Sequence, residues 1–170
     1  MPPFVTARID DASGSNSLFG KREESANLHF HYLDSFNKYG YIPNIGLFIE
    51  DISDKDGKII KSKYEDKLAE FSPHAFKDPE NFADRLIYMK HDGSEFSQAE
   101  LEKNFSRVDA KFSKWGIKPS KVLNAHFGEI GINALPFLKK SGQTFNMTRS
   151  RFGRAYADPK GGDWNPGPFS

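Results

Sequence analysis

The sequence predicts an α/β fold organised on a parallel sheet, and three observations point there. Two apolar segments each run into a pair of acids, Ile9 into Asp10-Asp11 and Ile49 into Glu50-Asp51. Apolar stripes at helical spacing alternate with them: Leu28, Tyr32, Phe36 and Tyr39 first, then Leu101, Phe105, Val108, Phe112 and Trp115. Acids and histidines therefore collect at the carboxyl ends of candidate strands, where doubly wound sheets and (β/α) barrels build their sites.

Taken in order, residues 4–9 are rich in β-branched side chains and lead through the two acids into the loop composition of residues 12–17, which marks a strand. The first stripe predicts a helix over about 25–39, with Gly40 where a left-handed C-cap is wanted. Residues 42–52 are mostly apolar without alternation, as in a strand covered on both faces. The polar residues 53–67 read as a loop leading into a short helix. Residues 69–76 form a weaker strand containing Ser72-Pro73-His74, and 86–89 a fourth candidate strand ending at Lys90-His91-Asp92. Ser97 and Glu100 make a capping box for the long helix that follows, and Gly116 and Pro119 close it. Residues 121–125 read as a strand arriving at His126, 132–140 as a helix stopped by Gly142, and 144–147 as a short strand. Residues 1–148 thus form one α/β domain, and the Gly- and Pro-rich residues 149–170 an irregular tail. A complete eight-stranded barrel needs ~250 residues, so five or six strands make a partial or distorted barrel, or a fragment of a longer one.

Composition narrows function. With 24 basic and 23 acidic side chains interleaved, a net charge of +1 offers no broad basic face for nucleic acid and no polybasic membrane anchor. Apolar runs such as 45–49 fall far short of the ~20 residues that span a bilayer, so membrane insertion is not expected. No charged-then-apolar leader precedes the first strand, so no secretory signal is expected, and the compartment stays open. The absence of cysteine removes disulfides, thiolate metal sites and thiol nucleophiles, so any metal must be held by His, Asp or Glu.

Asp10-Asp11 is the strongest local feature, because adjacent carboxylates at a strand end can divide the work, one ligating a metal and the other taking a proton from water. A solvated turn is the competing reading. His29 and His31, on a helix, point ~200° apart and cannot chelate one ion. His74 and His91, each at a strand end, form with Asp11 a His, His, carboxylate set that suits Zn²⁺ or a related divalent ion. Each alone is equally at home as a surface or hydrogen-bonded histidine. His126, with Glu129 three residues on, sits at another strand end, either on a helical turn or, given Gly128, in a loop. Trp164 and Phe169 fit a sugar-stacking platform or simple apolar anchors of the tail.

At residues 5–11 the chain resembles the opening motif of the polysaccharide deacetylase family, the NodB-type carbohydrate esterases, in which a hydrophobic strand ends in Asp-Asp. Residues 41–52 are similar to that family's second strand, and Phe71-Ser72-Pro73-His74-Ala75-Phe76 stands where it places metal-binding histidines. Residues 97–115 resemble its long helix, and the likeness extends over roughly 4–147. The resemblance implies Asp10 as general base, Asp11 and His74 as ligands of a divalent metal, and His91 as a further ligand reaching in across an insertion. His126 stands where the family has an Arg-x-Pro motif, which implies a divergent branch with His126 at the site as proton or hydrogen-bond donor. No counterpart of the family's later strands follows Met147.

The expected function is therefore that of a zinc-dependent hydrolase removing acetyl groups from N-acetylated sugars or cleaving a related amide. The alternatives are a non-catalytic carbohydrate-binding or scaffold domain and a fragment of a longer deacetylase. A partial barrel would expose strand edges, which makes a homo-oligomer a further expectation.

Overall fold

The computed structural model describes residues 7–12, 31–77, 86–90, 92–128, 130–143 and 145–146. The expected elements at 13–30 and the tail 149–170, with His29, His91, Glu129, Trp164 and Phe169, lie outside them. The fold is mixed α/β. Strands β1 (Arg8–Ala12), β2 (Asn44–Phe48) and β3 (Glu70–Ala75) form a parallel sheet in the order β1-β2-β3, and β4 (Val122–Leu123) and β5 (Phe145–Asn146) pair in parallel as a second, two-stranded sheet. The helices are α1 (His31–Lys38), α2 (Asp54–Glu65), α3 (Gln98–Trp115) and α4 (Leu135–Lys140). Only a small sheet is formed, and no closed barrel is seen among the described residues.

Strand β2 is central and buried along its whole length, which is why its sequence shows no alternation. Its two faces nevertheless differ. Ile45 and Leu47 join Phe71 of β3, Ile60 of α2 and Leu101, Phe105, Val108, Phe112 and Trp115 of α3 in one apolar cluster. On the other face Asn44 Nδ2 donates to the Val122 carbonyl at 3.0 Å, and Ser72 Oγ of β3 donates to the same carbonyl at 2.6 Å. Main-chain acceptors of β4 thus receive polar side chains from the three-stranded sheet.

Helix α3 follows its sequence signals. Ser97 accepts from the Glu100 amide while Glu100 reaches back to the Ser97 amide, and Gly116 takes the left-handed conformation (φ 71°) that closes the last turn. Two expectations need correction. Residues 53–67 hold a helix, as expected, but not a short one after a loop: α2 is twelve residues long and opens at once on a capping box of Ser53 and Asp56, a signal that the polar composition obscures. Residues 86–89 are buried but form bends and not a strand. Their polar atoms are matched one at a time: Asn104 Nδ2 donates to the Ile87 carbonyl, the Gly131 amide to the Tyr88 carbonyl, and the Tyr88 hydroxyl to the Pro73 carbonyl. An apolar run signals burial, and here side chains and a loop, not a strand ladder, satisfy its backbone. No helix of the described residues is long and apolar enough to cross a membrane.

Candidate functional site

Two of the expected site residues meet. His74 is the penultimate residue of β3 and His126 opens the 3₁₀ turn His126–Gly128 after β4. Their rings pack edge to face with centroids 4.7 Å apart, both are buried, and Phe48 at the end of β2 lies against both, at 5.6 and 5.2 Å. His74 Nδ1 lies 2.7 Å from the Asn124 carbonyl oxygen, and His74 Nε2 lies 2.9 Å from His126 Nδ1.

A carbonyl can only accept, so His74 carries a proton on Nδ1 and, when neutral, presents Nε2 as a lone pair. The 2.9 Å approach of His126 Nδ1 to that lone pair has two chemical meanings. If His126 is protonated on Nδ1, it is a hydrogen bond, and the chain from Asn124 through His74 fixes the basic nitrogen of His126 at Nε2. If it is not, two lone pairs converge. Nitrogens ~2.05 Å from a common ion stand about 2.9 Å apart at ~90° and about 3.3 Å apart at the tetrahedral angle, so the same separation suits a shared divalent cation. The carbonyl behind His74 is the outer-shell partner that orients a ligating imidazole. The spacing of the two nitrogens is therefore compatible with a hydrogen bond and with a shared cation.

The close approach depends on Gly46. A Cβ built there would lie 2.8 Å from His74 Nδ1 and 2.9 Å from Asn124 Nδ2, inside van der Waals contact. A glycine inside an apolar strand is the sequence signal for such an approach. Asn124 and Gly46 are the contributors that reading by residue type passed over. Asn124 in particular stands as a polar residue in an apolar stretch, two positions before His126.

The acids sit at the same end of the sheet. Asp10, within β1, pairs with Arg8 Nε at 2.5 Å with its side chain 39% exposed, and Arg8 Nη2 reaches the carbonyl of Ala125, the neighbour of His126, at 3.4 Å. Asp11 is placed in β1 by its backbone alone, and His91 lies outside the described residues. Among the described residues no group of three or more His, Cys, Asp or Glu is arranged to hold a metal ion. The second acid pair has a different use: Glu50 pairs with Arg107 of α3, whose guanidinium lies 3.7 Å from the centre of the Phe76 ring, clamping helix to sheet. Glu129, the expected companion of His126, lies outside the described residues; among those described, His126 meets His74.

Two grooves lie away from the histidines. One of about 610 Å³ is lined by Gln98, Glu102, Asn133, Phe137 and Lys140, the other of about 400 Å³ by Asp54, Lys58, Lys61, Lys114 and Trp115. No protein-family model, no curated protein and no solved structure matches the chain.

Proposed function

We propose that this chain is a metal-dependent hydrolase acting on N-acetylated sugars or a related amide, built on part of a (β/α) barrel whose polar interior is the face carrying Asn44, Ser72 and His74. The observation that carries this reading is the convergence of His74 Nε2 and His126 Nδ1 at 2.9 Å, with His74 held from behind by the Asn124 carbonyl. His74 and His126 are then the nitrogen ligands and Asp11, on β1 at the same end of the sheet, the carboxylate, with His91 a further candidate. A bound divalent ion, Zn²⁺ by donor type, would acidify water and polarise the scissile carbonyl. Asp10 reaches solvent and takes the proton from the attacking water as general base. Arg8 orients that carboxylate and ties it to the main chain beside His126.

The self-consistent proton pattern favours one second reading, a metal-free His126 base oriented by His74 much as a carboxylate orients a catalytic imidazole. Elemental analysis of protein purified without chelator separates the two. Near one divalent ion per chain, lost in His74→Ala, His126→Ala and Asp11→Ala but kept in Asp10→Ala together with loss of deacetylation of N-acetylchitooligosaccharides, supports the metal reading. No bound metal, with His126 protonated on Nδ1 in long-range ¹H–¹⁵N spectra, supports the second. Metal without hydrolysis of acetylated substrates would leave a carbohydrate-binding domain.

A further inference from the structure

We infer that Asn124 is the positioning residue that registers the strand carrying Asp10 and Asp11 against the His74–His126 pair. The inference rests on the site proposed above and names what assembles its two halves.

The strand ladder does not do this by itself. Strand β1 pairs with β2 as Arg8 with Asn44 and Ile9 with Ile45, but the register shifts between Ile9 and Ala12, across the two acids. Such an irregularity re-aims side chains and loosens the ladder that would otherwise fix them. A tie from outside the sheet is needed at that point, and Asn124 supplies it. Its side-chain Nδ2 donates to the Ile9 carbonyl at 3.2 Å, the peptide that leads into Asp10. Its own carbonyl accepts from His74 Nδ1 at 2.7 Å. Asn124 is fully buried, and the missing side chain at Gly46 is what lets it and His74 occupy one layer. The amide orientation follows from chemistry, since the Ile9 carbonyl can only accept and must face the nitrogen. Acid strand and histidine strand thus meet on one residue, through two different atoms. Arg8 Nη2 adds a parallel tie to the next residue, at the Ala125 carbonyl.

Because the two ties use different atoms, the amide tie can be cut alone. Asn124→Ala and the volume-conserving Asn124→Leu remove the amide donor and leave the main-chain carbonyl on His74. Gly46→Ala drives a methyl group at both His74 Nδ1 and Asn124 Nδ2 and so presses on both ties at once. Two readouts apply, zinc affinity by chelator competition and NMR of the zinc-free chain. Both Asn124 variants should weaken Zn²⁺ binding about 10- to 100-fold, the range for lost outer-shell partners. In the zinc-free spectra they should shift or broaden the Asp10 and Asp11 amides while His74 keeps its Nδ1 proton. Gly46→Ala should lose the His74 Nδ1 proton signal. In the wild-type chain the Asn124 side-chain amide protons should exchange slowly, a measurement that needs no variant. Rapid exchange there, unmoved Asp10 and Asp11 amides in a folded Asn124 variant, or zinc affinity within twofold of wild type would overturn the inference. If the wild-type chain takes up no zinc, the metal reading fails on its own and the amide signals alone decide whether Asn124 positions the acid strand.

Discussion

The two faces of the three-stranded sheet are stabilised by different means. Toward α2 and α3, Ile45, Leu47 and Phe71 enter one apolar cluster with Ile60, Phe112 and Trp115, where stability scales with the apolar area buried. On the opposite face Asn44, Ser72, His74 and Asn124 make a layer of polar groups around Gly46. Asn44 and Ser72 donate to the Val122 carbonyl, His74 to the Asn124 carbonyl and Asn124 to the Ile9 carbonyl, while Asn44 Oδ1 and Asn124 Oδ1 are buried without a hydrogen-bond partner among the described residues. Burying such groups is favourable only when they are paired, so this face has little slack and its sequence is less free. A fold needing only a core would fill both faces as it fills the first. The polar layer is where the chain departs from what folding alone rewards, and it ends on the histidine pair.

The largest expected effect tests the apolar face. Phe112 is 1% exposed and packs against Trp115 at 5.3 Å between ring centres. Phe112→Ala should cost about 3–5 kcal/mol of unfolding free energy in urea titrations. Below the new midpoint, the His74 and His126 signals should keep their wild-type positions. If the histidine signals move with the core, the two faces are not independent.

A smaller effect sharpens the same contrast at a point where the faces meet. The Tyr88 hydroxyl, whose ionisation burial strongly opposes, donates to the Pro73 carbonyl at 2.9 Å, one residue before His74. Tyr88→Phe keeps the ring in the cluster and removes that hydrogen bond, a loss of about 0.5–1.5 kcal/mol. Because Pro73 leads directly into His74, this variant should also perturb the His74 ring resonances, which Phe112→Ala should not. Equal silence at His74 would mean that β3 is held by its ladder and that the Tyr88 bond is only a local one.

The same division explains how much the sequence disclosed. Helix α3 was legible to the residue because a capping box, an apolar stripe and a glycine stop agree, whereas α2 was legible only as a short helix after a loop, because its capping box lies in a stretch too polar to show a strong stripe. Strands β2 and β3 were legible as apolar runs, whereas 86–89 shows the same composition without the conformation. At the site, His74 and His126 were legible as histidines at strand ends. Their meeting was not, because 52 residues separate them and only the crossing of β3 and β4 brings them together. Asn124 was invisible for a further reason. Its work is done partly by a main-chain carbonyl, which no residue type announces, and partly by an amide whose partner is another main-chain atom 115 positions away.

The smallest expected effect belongs to neither face and serves as their control. Glu100, partly exposed in the first turn of α3, is held down at about 2 from an ordinary 4.5, first by the Ser97 amide and hydroxyl and then by Lys90. A carboxyl whose folded value is depressed contributes stability that is present above its unfolded value and disappears as pH falls through the folded one. Wild-type stability should therefore decline over the window from about 4.5 down to about 2. Ser97→Ala removes the hydroxyl that joins Glu100 to the cap, so its folded value should rise toward the ordinary one and this part of the acid limb should flatten. The variant should accordingly be more destabilised at neutral pH than at pH near 2, by an amount that salt reduces because the pair faces solvent. Thermal melts across that pH range at two salt concentrations test the sign, and histidine spectra recorded alongside should not change. A cap mutation that disturbed the His74–His126 pair would show that α3 transmits strain to the polar face, and the separation between a tolerant core and an exacting site would have to be abandoned.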